Sequence, residues 1–163
     1  MYNQNKDYGM IDLVKADDVR LMINGVEVQP MNYFDYVKSF HEKFERNYTG
    51  KPRLLRPEQL EFRTKFLMEE MVEFRDAHGR DDLVGCLDAL VDLIYVALGT
   101  AEWMGLPFDD AFKIVHMKNM EKVAAKTADD SKRGYALDIV KPENWVGPEE
   151  ELSQLLKEKS EGA

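Results

Sequence analysis

Two long apolar runs between residues 63 and 122, each carrying acidic residues at helical spacing, limit what this chain can fold into more than any other feature. The first reads Phe66-Leu67-Met68-Glu69-Glu70-Met71-Val72-Glu73-Phe74, and the second Leu87-Asp88-Ala89-Leu90-Val91-Asp92-Leu93-Ile94-Tyr95. Positions three or four apart share a helix face. Glu70 therefore projects with Glu73, Glu69 lies near Glu73, and Asp88 projects with Asp92. Packed antiparallel, two such helices would set two carboxylate pairs against each other across one seam. Bare anions are very costly to bury there. A hard divalent cation with oxygen ligands, Mg²⁺ first among them, resolves the conflict. Ion pairing of Asp88 and Asp92 with Arg63, Lys65 or Arg75 is the competing resolution, because aspartate is seldom buried without a partner.

The rest of the pattern is mostly helical. Apolar residues at helical spacing predict helices over residues 31–47, 57–77, 83–104 and 111–125, and a last one from Pro148. Pro57 suits a first helical turn and Gly79 a helix stop. The 83–104 segment is apolar almost all round, which predicts the central and most buried helix. Asn24-Gly25 between apolar and β-branched residues predicts a hairpin over Val19–Val28. Residues 135–140 read as a short extended segment, and Trp145 as an anchor on the helical body. The expected fold class is all-α, a bundle of four to five helices with a small N-terminal β-hairpin. Residues 1–30 form an arm with that hairpin, 31–148 the helical domain, and 149–163 a C-terminal helix and tail.

Charge and motif content narrow the chemistry. A net charge of −9 on 163 residues argues against a broad grip on a nucleic acid polymer. No signal-peptide core is evident, and no apolar run is expected to span a membrane, so no membrane partner is predicted. The single cysteine, Cys86, fits a reducing cytoplasm and a packing role in its helix. Glycine-rich phosphate loops, Cys-x-x-Cys pairs and His-Glu-x-x-His are all absent from the sequence, so phosphate handling would have to be metal-based. His116, Asn119 and Lys122 share one face if their helix continues. They are either a solvated stripe or, beside a metal site, a phosphate contact (Lys122) with a hydrogen-bonding neighbour (Asn119). Lys132, Arg133 and Lys141 add cations nearby, in a segment that also reads as a solvated loop.

Taken together, Glu70-x-x-Glu73 preceded by Glu69, the Asp92–Ala101 run, Phe40-His41-Glu42-Lys43-Phe44, His116-x-x-Asn119-Met120-x-Lys122 and Lys141-Pro142 resemble the all-α nucleoside triphosphate pyrophosphohydrolases. That superfamily comprises MazG-like proteins, dimeric dUTPases and phosphoribosyl-ATP pyrophosphohydrolases. The similarity is greatest to its phosphoribosyl-ATP pyrophosphohydrolase-like MazG branch and covers residues 31–148. The family's second motif places Glu three residues before the aspartate, where this chain has Ala89; Asp88, one position earlier, stands in for it. The resemblance implies Mg²⁺, with Mn²⁺ as a substitute, held by Glu70, Glu73, Asp88 and Asp92, and Glu69 as general base. It also implies substrate contacts from Asn119, Lys122, Arg133 and Lys141, and a homodimer or dimer of dimers. The implied reaction converts a (deoxy)nucleoside triphosphate into monophosphate and pyrophosphate. Phosphoribosyl-ATP hydrolysis, or a non-catalytic interaction protein on the same scaffold, are the alternatives.

Overall fold

A computed structural model describes residues 21–23, 26–28 and 32–162. Two compact units divide after Asn32. In the first, β1 (Leu21–Ile23) pairs antiparallel with β2 (Val26–Val28), Leu21 opposite Val28 and Ile23 opposite Val26. This register leaves two residues to reverse the chain, as the Asn24-Gly25 pair predicts. The turn residues themselves and the arm over residues 1–20 lie outside the described residues.

The second unit holds five helices: α1 (Tyr33–Lys43), α2 (Pro57–Gly79), α3 (Leu83–Trp103), α4 (Phe108–Met120) and α5 (Glu149–Glu161). With the hairpin, this is the all-α bundle that the pattern predicts. Local chemistry sets the ends of α2 and α3. Pro57 occupies the first turn of α2, and the Gln59 side chain accepts a hydrogen bond from Arg56 N at 3.1 Å. Beyond Gly79 the chain turns within three residues, through Asp81 at φ 55°. Asp82 then caps α3 by accepting from Gly85 N at 2.9 Å. So short a link makes α2 and α3 an antiparallel hairpin, and theirs is the largest helix contact in the unit.

α1 closes one end of this hairpin. Phe34 and Val37 pack on Leu98 and Ala101, with Tyr95, Leu106 and Phe108 around them. Their period of three on α1 matches its apolar stripe. α1 ends at Lys43, earlier than its stripe predicts, because Arg46 N folds back to His41 O at 2.8 Å and Glu45 takes φ 54°. Tyr48 therefore belongs to the connection and not to the helix. α4 both starts and stops earlier than predicted, so Lys122 lies just past its end. β3 (Val123–Ala124), in residues expected to be helical, pairs antiparallel with β4 (Ile139–Val140), which lies in the segment expected to be extended. Trp145 anchors as predicted: its Nε1 donates to Lys118 O at 3.1 Å, and Lys118 pairs with Glu151 of α5 at 3.0 Å.

The expectation for α3 needs correction. Its buried residues are Ala89, Val96, Leu98, Gly99, Ala101 and Glu102, mostly in its C-terminal half. Leu83 is 82% and Val84 79% exposed, and Leu87, Leu90, Val91 and Ile94 are exposed as well. α2 covers one flank and α1 only the C-terminal end, so the all-round apolar pattern exceeds what one chain covers. At 21 residues, with a mean hydropathy of 1.8 over an 18-residue window, α3 is also long and apolar enough to cross a membrane, contrary to the sequence expectation. In this fold it is the helix on which α1 and α2 pack.

Candidate active site

The α2–α3 seam buries one acid of its five. Glu70 is 6% exposed, and its Oε2 is sealed from solvent with no hydrogen-bond partner among the described residues. Glu69 and Glu73, one and three residues away, are exposed, as are Asp88 and Asp92. Glu70 and Asp92 line the same cavity of about 400 Å³, whose walls are Phe40, Phe66, Tyr95 and Val96 with His41 and Arg63. Burial pushes the Glu70 carboxyl above the usual carboxylate range, and Glu73, Asp92, Glu69 and Asp88 add to the shift in that order. The other four acids predicted from sequence thus all act on Glu70.

A thermal prediction follows from that shift. A carboxyl raised in the folded state lends stability that is fully present below its unfolded pKa and lost as pH rises through the folded one. Melting temperatures of the metal-free protein should show this as a difference between wild type and Glu70→Gln. As pH climbs above the ordinary carboxylate range, the wild type should fall relative to the variant, which should be the more stable at neutral pH. A variant that melts lower at neutral pH would refute the assignment of Glu70 as a strained buried anion. His41 and Arg63 share the cavity, so the difference between the two proteins, and not either curve alone, is the test.

The acids share a field without forming a cage. Among the described residues, no three His, Cys, Asp or Glu side chains are gathered closely enough to hold a metal ion. Glu69, Glu73 and Asp88 lie outside the cavity. Ala89 is 2% exposed, while Asp88 is turned out to solvent. Moving the acid one position from the family's pattern therefore takes it off the packed face. The ion-pair alternative is not realised either. Lys65 pairs with Glu61 at 2.6 Å, and Arg75 with Asp76 at 3.3 Å. Arg63 donates through Nη2 to Val96 O and through Nε to Thr100 Oγ1, leaving no described cation paired with Asp88 or Asp92.

Next to the acids lies a buried polar set that spacing alone does not reveal. Glu102 Oε2 meets His41 Nδ1 at 2.6 Å, and Glu102 Oε1 accepts from Tyr48 N at 2.7 Å. Burial lowers the Arg63 guanidinium from its ordinary value, and Glu102 works against that shift. Gly99 makes room for the side chains of Arg63 and His41: a Cβ there would lie 2.9 Å from Arg63 Nη2 and 2.9 Å from His41 Cε1. The available sequence signals were a histidine on the apolar stripe of α1 and a glycine inside an apolar helix.

The predicted substrate residues meet elsewhere. Lys122, Arg133 and Lys141, with Lys132, Asp130 and Asp138, line a second cavity of about 400 Å³ beside the β3–β4 pair. Arg133 Nη1 is paired with Asp138 Oδ2 at 3.0 Å. A hydrogen bond from Ser131, and then one from Arg133, hold the Asp138 carboxyl below its usual range. Lys122 and Lys141 sit over the Trp145 ring at 5.5 and 4.3 Å. Asn119 does not line this cavity; its Oδ1 accepts from Lys122 Nζ at 2.7 Å. The acids and the cations are thus each brought together, but the two cavities share no residue.

A profile of the phosphoribosyl-ATP pyrophosphohydrolase family matches residues 37–119, just over half of the chain. None of the curated proteins matches it. The matched span runs from Val37 in the α1 core through both acidic helices to Asn119. With Glu70-x-x-Glu73 on α2, Asp92 on α3 and an all-α bundle around them, the chain belongs to the phosphoribosyl-ATP pyrophosphohydrolase family, in the MazG-like superfamily of pyrophosphate-bond hydrolases.

Proposed function

We propose that this pyrophosphohydrolase acts on nucleoside triphosphates, releasing a (deoxy)nucleoside monophosphate and pyrophosphate with the help of Mg²⁺. The observation that carries the reading is Glu70. A buried carboxylate oxygen with no partner, in a cavity shared with Asp92 and surrounded by three more acids, is a ligand set short of a cation. Glu70 and Asp92, with Glu73 and Asp88 drawn in from solvent, would hold Mg²⁺ or, in its place, Mn²⁺. An ion held there would neutralise phosphate oxygens and supply an oriented water. Glu69 is the residue placed to take the proton of the attacking water. Asn119, Lys122, Arg133 and Lys141 hold the far end of the phosphate chain, beyond the phosphates at Glu70 and Asp92.

A homodimer or dimer of dimers accounts for the exposed apolar residues. Leu83, Val84 and Leu87 of α3 and Met68 and Met71 of α2 form surface that a second copy would cover. A cytoplasmic setting agrees with the unpaired Cys86. Nucleotides are the partners, and neither nucleic acid polymers nor membranes are.

The family match itself favours a second substrate, phosphoribosyl-ATP. A panel of the common ribo- and deoxyribonucleoside triphosphates, with phosphoribosyl-ATP included and Mg²⁺ present, separates the two by pyrophosphate release. The expected first products are monophosphate and pyrophosphate, with no diphosphate intermediate. Early orthophosphate and diphosphate would overturn the reaction type. The ligand set has its own test. Asp88→Asn is expected to weaken Mg²⁺ binding, followed by calorimetry, as much as Asp92→Asn does. Unchanged affinity in Asp88→Asn would place the fourth ligand elsewhere.

A further inference from the structure

Arg63 is the fixed cation of the cavity that holds Glu70 and Asp92, and its position bears on which nucleotide enters. The residue is 5% exposed, and no described carboxylate forms an ion pair with it. Its guanidinium is held from one side, with Nε to Thr100 Oγ1 at 2.9 Å, Nη2 to Val96 O, and the Trp103 ring 5.1 Å away. Nη1 makes no hydrogen bond with a described residue, and it is not among the atoms sealed from solvent. Arg63 lines the cavity, so its rigid guanidinium borders whatever enters there.

Aromatic side chains also line this cavity. Phe40 and Tyr95 meet edge to face at 5.4 Å, and Phe66 lies beside Arg63. Flat rings of this kind stack on nucleobases without regard to sequence, and about 400 Å³ is within the range of small-molecule pockets. On the reading proposed above, the phosphates stay at Glu70 and Asp92. The heteroaromatic base then stacks on one of these rings, with one edge against Arg63. Guanidinium only donates. It satisfies a carbonyl oxygen on that edge and opposes an amino group at the same place, the distinction arginine draws between bases in other settings.

We infer that Arg63 is a specificity-determining residue, and that the preferred substrate is a nucleotide with an oxo group on its base edge, as in guanine, hypoxanthine, uracil and thymine, rather than the amino group of adenine or cytosine. This rests on the cavity being a nucleotide site, and the test separates the two claims. Inosine and adenosine triphosphates differ in carrying an oxo or an amino group at the same ring position. Wild-type protein with Mg²⁺ should favour the inosine compound in kcat/KM by about 10–100-fold, the worth of one hydrogen bond to a charged donor. Uridine over cytidine triphosphate should behave alike. Arg63→Gln, whose amide can either donate or accept, should bring both ratios within about threefold of one. Equal wild-type rates for each pair would overturn the inference while leaving the hydrolase intact. So would a uniform loss in Arg63→Gln with the ratios kept, since that is the signature of a phosphate contact or a packing role. The wild-type comparison stands even where the variant does not fold. If no nucleotide releases pyrophosphate, the proposed function fails. Calorimetry with inosine and adenosine monophosphates then decides the inference: tighter inosine monophosphate binding supports it, and equal or absent binding overturns it.

Discussion

Glu69→Gln should slow pyrophosphate release about 10²–10⁴-fold, the usual worth of a general base, with Mg²⁺ and nucleotide affinities close to wild type. Glu69 is exposed and makes no ion pair among the described residues, while its neighbour Glu70 is buried in the cavity wall. Glutamine has nearly the same shape and helix propensity, so the fold gives no reason for a large stability change; exposed substitutions of this kind usually stay within about 0.5 kcal/mol. The variant therefore isolates the proton transfer. Single-turnover rates should show the loss, and the limb of the pH profile that reports ionisation of the base should flatten. Normal turnover would remove Glu69 from the mechanism. A loss of Mg²⁺ affinity in step with rate would make it a ligand instead.

The largest effect on stability belongs to a residue without a proposed chemical role. Glu102→Ala should cost about 2–5 kcal/mol, since each buried donor left without an acceptor costs about 1–3 kcal/mol. Glu102 is 4% exposed and ties three segments together: α3, on which it sits, α1 through His41, and the α1–α2 connection through Tyr48 N. Its loss leaves the His41 Nδ1 and Tyr48 N donors without an acceptor and takes the nearest counter-charge from buried Arg63. Glu102→Gln keeps one acceptor oxygen while its amide nitrogen only donates, so one of the two contacts survives and the variant should be milder. Urea titrations would measure the difference, and a cost under about 1 kcal/mol for the alanine variant would mean that α1 is held by its apolar contacts alone. Because α1 supplies Phe40 and His41 to the cavity, nucleotide binding should weaken before the helical signal is lost.

Much of this architecture is written locally. Pro57, Gly79 and Asp82 mark helix ends through chemistry that acts within a few residues, and the alternation around Asn24-Gly25 is enough to pair Leu21 with Val28. The period of three to four likewise puts Glu70 with Glu73 and Asp88 with Asp92, whatever those helices later touch. A period describes a face relative to its own axis, however, and not which neighbour that face meets. Only the packing of α2 on α3 decided that Glu70 is sealed in while Glu69 and Glu73 stay wet, and that Ala89 faces inward where Asp88 faces water. Arg63 has a carboxylate-rich seam within a few turns, yet it bonds Val96 O and Thr100, because Gly99 opens that side of α3 to its side chain. His41 and Glu102 are 61 residues apart, and their contact depends on where the α1–α2 connection sets α1 down. Lys122, Arg133 and Lys141 meet because β3 pairs with β4, an event outside the reach of any local pattern. Helix position and face are short-range properties of the backbone, and the sequence determined them; burial and partnership are properties of the assembled surfaces, and the tertiary structure alone decided them.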